Sequence, residues 1–155
     1  MSFAPSSPVT GAAVTGFTSP TYTLTTDVAP NINGKQYAVT AIGGTQTGVD
    51  TNTVSKPFSI SFFRPQNLRV LPQANPVTGV IKNVPLNTYK LITRKGALPA
   101  ANQVSMTARI TTVIEVPAGT DTYEPEDLKA MVSAHFGVGW AQASGIADTI
   151  LSGII

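Results

Sequence analysis

SMTARITTVIEVP, residues 105 to 117, alternates along most of its length: Met106, Ala108, Ile110, Ile114 and Val116 share one parity, and Ser105, Thr107, Arg109, Thr111 and Glu115 the other. Successive side chains of a strand point to opposite faces, so the pattern predicts a long strand with one apolar and one polar side. Two upstream segments repeat it. TYKLITRKG (88 to 96) sets Tyr89, Leu91 and Thr93 against Lys90, Ile92 and Arg94, and KPFSISFFRP (56 to 65) sets Phe58, Ile60 and Phe62 against Ser59, Ser61 and Phe63. Side by side, these strands make an antiparallel sheet with one covered and one wet face. The wet face is expected to carry Ser59, Ser61, Lys90, Arg94, Thr107, Arg109 and Thr111, a platform of hydroxyls and cations.

Toward the N-terminus, TYTLTTDV (21 to 28) and KQYAVTAIG (35 to 43) flank a connection containing Asn33-Gly34, which predicts a hairpin with a loop longer than two residues. Residues 1 to 20, rich in Ser, Pro, Thr, Gly and Ala without periodicity, read as an extended arm. GGTQTGVDTNT (43 to 53) has turn chemistry with room for a short edge strand. Residues 66 to 86, with Pro72, Pro76, Gly79 and Pro85, read as a long connection holding a short strand around Leu68 to Leu71, and Gly96 to Ala101 as a loop.

After Pro117 the period changes. In EPEDLKAMVSAHFG, Pro125 suits the first helical position and Glu126 and Asp127 complement the helix dipole. Leu128, Met131, Val132, His135 and Phe136 then follow helical spacing to an expected stop at Gly137. A second helix is expected from about Trp140 to Ser152, with Trp140, Ala143, Ile146, Ala147, Ile150 and Leu151 as its apolar stripe and Gly153 as its end. Gly145 inside it costs about 1 kcal/mol relative to alanine, which points to a backbone approached closely by something else. The expected fold is thus α+β in one domain, 1–155: an extended arm (1–20), a hairpin (21–43), an antiparallel five-stranded sheet (50–117) and two C-terminal α-helices (124–153). The tail GWAQASGIADTILSGII (139 to 155) poses a question, since it carries one charge, Asp148, at a terminus where chains usually fray.

A chain of 155 residues can bury roughly 70% of the surface its unfolded form exposes. The lack of cysteine excludes disulfides, thiolate metal sites and a Cys nucleophile. The first basic residue is Lys35, so no secretory n-region is expected, and no apolar run nears the roughly 20 residues of a membrane span. The expectation is a soluble, intracellular protein. Net charge is +2, unevenly spread. From Thr51 to Ile114 there is no acid, while Lys56, Arg64, Arg69, Lys82, Lys90, Arg94, Lys95 and Arg109 give +8; from Glu115 onward the balance is −5. A basic block without internal acids seeks an external polyanion, and nucleic acid is the commonest. The plainer alternative is a solvated basic surface.

No catalytic motif appears: no P-loop, dinucleotide fingerprint, nucleophile elbow or metal-spaced ligand cluster, so neither catalysis nor a metal nor a cofactor is expected. His135 reads as a boundary or buried histidine with a satisfied hydrogen bond, and Glu124, Glu126 and Asp127 as ordinary helix-start acids.

The succession TYKLITRKGALP, ARITTVIEVPAGTD, DLKAMVSAHFG and QASGIADTILSGII resembles the coat proteins of the single-stranded RNA bacteriophages, the leviviruses, over most of the chain from about Thr21 onward. That resemblance implies an intertwined homodimer with one continuous sheet, in which each subunit's helices lie over the partner's sheet. Leu128, Met131, Val132, Ile146, Ile150 and Leu151 would then be interface residues. It further implies assembly into an icosahedral shell around the viral single-stranded RNA, a virion location, and synthesis in the bacterial host's cytoplasm. Neither a membrane nor a small-molecule substrate is expected as a partner. By position, Ser59, Ser61, Lys90, Arg94, Arg109 and Thr111 match those with which the family grips an RNA hairpin near the replicase start, repressing translation, and Gly96 to Asn102 resembles the loop lining the shell's symmetry axes. Two departures stand out: residues 66 to 86 are longer than the family's usual connection, and Arg109 stands on the last strand where a base-stacking aromatic is expected. An arginine plane also stacks bases. A non-capsid RNA-binding sheet protein and a pilin-like structural protein are the alternatives. The first would stay a dimer, and the second would carry a signal sequence and need no acid-free face.

Overall fold

A computed structural model describes residues 2–155. Six strands, β1 (Val9–Thr10), β2 (Thr18–Asp27), β3 (Gly34–Thr45), β4 (Phe58–Phe63), β5 (Leu86–Ala97) and β6 (Met106–Pro117), pair antiparallel in chain order in one sheet. The expected hairpin is β2–β3. It joins the rest directly, with Ala38 opposite Ser59, so hairpin and sheet form one six-stranded sheet, and residues 50–117 supply three of its strands rather than the five expected. β1 lies in what was expected to be an extended arm: Val9 and Thr10 pair with Tyr22 and Thr21. The arm is fastened elsewhere too. Leu24 N donates to Ser7 Oγ (2.9 Å), Lys35 Nζ to the Phe3 carbonyl (2.9 Å), and the Phe3 ring stacks on Phe62 at 4.9 Å between centroids.

The β5–β6 ladder runs unbroken from Leu86 opposite Pro117 to Ala97 opposite Met106. Ala118 N donates to the Pro85 carbonyl in the same register, so the even-numbered residues of β6 turn their backbone groups toward β5. Those of Thr107, Arg109, Thr111, Val113 and Glu115 point outward. Twelve residues of strand therefore end the sheet as an open edge.

In the 43–53 stretch β3 simply runs on to Thr45 and no separate edge strand follows, and none forms around Leu68 to Leu71. The latter apolar stretch is held by a side chain instead: Arg69 N donates to Asn87 Oδ1 (2.8 Å) and Asn87 Nδ2 to the Arg69 carbonyl (3.0 Å). Glycine decides a second crossing, where the turn before β4 passes over β5. A Cβ on Gly96 would lie 2.6 Å from Lys56 Cα. Beside it, Lys56 Nζ donates to Asp50 Oδ2 (2.6 Å) and Lys95 Nζ to the Asp50 carbonyl (2.8 Å).

The hydrogen bond from Lys56, with the charge of Lys56 and more weakly that of Lys95, holds the Asp50 carboxyl below its ordinary pKa. A carboxyl lowered by folding stabilises above its unfolded pKa and loses that contribution as pH falls through the folded value. Asp50→Asn is accordingly expected to leave the melting temperature below that range nearly unchanged and to lower it slightly at neutral pH, the effect being small because the pair is solvent-facing. Melting curves from pH 2 to 7 check this; parallel curves for the two proteins would refute it.

Three helices follow: a single turn α1 (Thr120–Tyr123), α2 (Pro125–Ala141) and α3 (Ala143–Ser152). Pro125 opens α2 as expected, but the helix does not stop at Gly137. A glycine ends a helix by adopting positive φ, which Gly153 does (73°) and Gly137 and Gly139 do not. His135 is exposed, edge-on to Phe136, and has no side-chain hydrogen bond among the described residues, contrary to the satisfied histidine expected. Among the described residues, no helix is long and apolar enough to cross a membrane.

Neither α2 nor α3 contains a buried residue. Among the described residues the buried apolar set is Leu24, Ala38, Val39 and Ala118, with Val39 alone fully inaccessible. The chain exposes 10934 Å², whereas a folded monomer of 16.1 kDa exposes about 7,400 Å². The expectation that this length buries its own surface is thus corrected, by roughly 3,500 Å².

Candidate nucleic-acid interface

The strand registers put all seven wet-face residues on one side of the sheet. Ser59 lies opposite Arg94 and Arg94 opposite Arg109; Ser61 lies opposite Ile92 and Ile92 opposite Thr111; Phe63 lies opposite Lys90; Gly96 lies opposite Thr107. Lys90, Thr107, Arg109 and Thr111 are exposed and Arg94 is half-buried. The serines differ from expectation. Ser59 is 6% exposed and Ser61 0%, so the face is not wet at β4.

The cause is lateral. Ser61 Oγ donates to Gln36 Oε1 (2.9 Å) and accepts from Arg94 Nη1 (3.3 Å), and Gln36 Nε2 donates to Asp27 Oδ2 (2.8 Å). These bonds form a relay from β5 to β2. At its far end, the Gln36 donor and the Val28 amide hold the Asp27 carboxyl below its ordinary pKa. Ser61 thus positions the Arg94 guanidinium from beneath, and its hydroxyl is occupied. Gln36 and Asp27 were not legible as partners in this face, since only the β3–β4 register brings them there.

Arg94 and Arg109 are direct cross-strand partners of the non-hydrogen-bonded kind, the closer of the two, with Cα atoms about 4.5 Å apart. Like charges in that position repel. Neither forms an ion pair among the described residues, where the salt bridges are Lys56–Asp50 and Lys129–Glu126. A phosphate bridging two guanidinium groups removes the repulsion and adds charge-assisted hydrogen bonds. Among the described residues, no group of three or more His, Asp or Glu side chains could hold a metal ion.

Of the six helix residues expected at a subunit interface, Leu128 is half-buried, and Met131 (45% exposed), Val132 (38%), Ile146 (50%), Ile150 (72%) and Leu151 (86%) are uncovered. α2 faces Thr112 to Glu115 of β6 across a hollow of about 130 Å³ lined by Met131, Val132, His135 and Phe136. The polar side of α3 is occupied: Thr15 N and Oγ1 reach Ser144 Oγ (3.1 and 2.6 Å).

A cationic sheet face, an open edge and two long helices without a buried residue are the features of a structural sheet protein. No family model and no curated protein matches the chain. Solved structures do: a virus-like particle of bacteriophage ESE020 has a chain 54% identical over 99% of this chain and 100% of its own, with a TM-score of 0.96. Virus-like particles of Beihai levi-like virus 32 (14% identity, 86% and 88% covered, TM-score 0.49) and Wenzhou levi-like virus 4 (17%, 91% and 71%, 0.39) are more distant. The chain belongs to the coat proteins of the single-stranded RNA bacteriophages, and its role is that of a structural capsid protein.

Proposed function

We propose that this protein dimerises through its β6 edge and its helices, that the dimers close into an icosahedral shell, and that the Arg94–Arg109 face holds the viral single-stranded RNA inside. The carrying observation is the roughly 3,500 Å² exposed beyond what a monomer of this mass exposes. That is of the order an obligate homodimer and its neighbours cover. The edge supplies unpaired backbone groups and the helices an unpartnered apolar surface, so a second copy satisfies both. Assembly of the 54% identical relative into a virus-like particle supports the shell. The protein is made in the host's cytoplasm and resides in the virion. The same face binds an RNA hairpin as a translational repressor: Arg94, Arg109 and Lys90 meet phosphates, and Thr107 and Thr111 meet bases or sugars. Ser61 acts from beneath, through Arg94, and Ser59 lies buried opposite Arg94 on the neighbouring strand.

Expressed and purified at moderate salt, the protein is expected to sediment as shells tens of nanometres across containing host RNA, seen by electron microscopy. A discrete RNA-free monomer or dimer would overturn the capsid reading. Lys90→Ala with Arg109→Ala is expected to weaken RNA binding and flatten the log-log dependence of affinity on salt by roughly 0.7 to 0.9 per lost phosphate contact. An unchanged slope would place the RNA elsewhere.

A further inference from the structure

We infer that the groove between the end of β4, the start of β5 and the 64–85 connection is a second RNA subsite, taking a phosphate and the base beside it. The inference rests on the proposed RNA-holding role of the same sheet face. The groove encloses about 530 Å³, and Phe63, Arg64, Asn67, Arg69, Thr88 and Lys90 line it. Its two arginines are fixed at the backbone and free at the guanidinium. Arg64 N donates to the Asn33 carbonyl (3.1 Å), and Arg69 is clamped on both sides by the amide of Asn87, itself 8% exposed. Arg64, Arg69 and Lys90 make no side-chain hydrogen bond or ion pair among the described residues. No acid lines the groove; Glu115, opposite Thr88 on the same face, borders the hollow under α2 instead.

Phe63 supplies the flat surface that the last strand lacks. It pairs with Gly34, where a Cβ would collide with its ring, so the ring packs on bare backbone and remains at the groove wall. Aromatic faces stack bases without regard to sequence. Lys90 joins this groove to the main face, since Arg94 lies four residues along β5, about 13 Å away. A strand held by Arg94 and Arg109 therefore reaches the groove along a cationic track. Cations without acids, together with an aromatic wall, favour RNA over a protein segment, and the exposed apolar residues of the connection, Leu68 and Val70, lie outside the lining.

The test uses dilute purified protein, below the concentration at which shells form, and a fluorescent single-stranded RNA of about 12 nucleotides titrated across a salt series. Arg64→Ala with Arg69→Ala is expected to flatten the log-log salt slope by about 1.4, two contacts at the single-strand value. Phe63→Leu is expected to weaken binding about 5- to 150-fold with the slope unchanged, as for loss of one stacked base. If both variants bind as the parent does while Lys90→Ala with Arg109→Ala loses slope, the groove is no subsite and the main RNA face stands. If that last pair also changes nothing, the RNA face itself fails and the subsite with it. Unaltered RNA binding with an altered particle diameter in the arginine variant would make the groove a subunit contact and overturn the proposal.

Discussion

Val113→Pro is expected to abolish dimers and shells while leaving the subunit folded. The amide of Val113 points away from β5, so proline there removes no bond of the intrachain ladder and sits where edge strands tolerate it. Between two β6 edges the same change deletes a donor from each strand and puts a ring in the path of the partner. The two stranded carbonyls alone cost roughly 1 to 3 kcal/mol each, and with the lost bonds the penalty is roughly 4 kcal/mol per dimer, about three orders of magnitude in dissociation constant. Thr112→Pro is the informative contrast, because that amide faces β5 and its loss unfolds the end of the subunit's own sheet. Sedimentation and far-UV circular dichroism separate the cases: a folded monomer for the first, a destabilised chain for the second. Shells of normal yield from Val113→Pro would mean that subunits do not join through β6.

Which parts of this architecture were legible depends on how local their causes are. Alternation is a property of a strand alone, so β4, β5 and β6 and the shared side of Ser59, Lys90, Arg94, Thr107, Arg109 and Thr111 followed from parity. Exposure is a property of neighbours. Ser61 lost its access to solvent because Gln36 and Arg94 close over it from adjacent strands, which no pattern within FSISFF records. The same distinction explains the arm. A two-residue strand has no period, and Phe3 reaches Phe62 only once β3 and β4 stand side by side.

Glycine misled for a related reason. Gly137 and Gly153 both follow apolar helical runs, yet only Gly153 takes the left-handed conformation that terminates a helix. At Gly137 and Gly139 the helix continues, and a Cβ at either would meet nothing within 4 Å in this chain. The connection from 66 to 86 was legible as long but not as a groove wall, because its anchor, Asn87, lies on β5 and its aromatic, Phe63, on β4.

Truncation after Asp148 is expected to abolish the dimer as well as the shell, and the position of the cut makes the result diagnostic. The contacts that fasten α3 to its own chain, Thr15 to Ser144 and Asp148, lie before it. What the cut removes is apolar surface the chain leaves open: Ile150 at 72% exposure, Leu151 at 86%, Ile154 at 73% and Ile155 fully. Burying an aliphatic side chain contributes roughly 1.5 to 3 kcal/mol, so four at the lower figure amount to roughly 6 kcal/mol, about four orders of magnitude in dimer affinity. The subunit's own melting behaviour should barely change, since its sheet loses no partner. Ile150→Asp with Leu151→Asp in the full-length chain should reproduce the effect without shortening the helix. An assembling truncated protein would mean that the tail is not covered by another copy, and that its apolar residues need a different explanation.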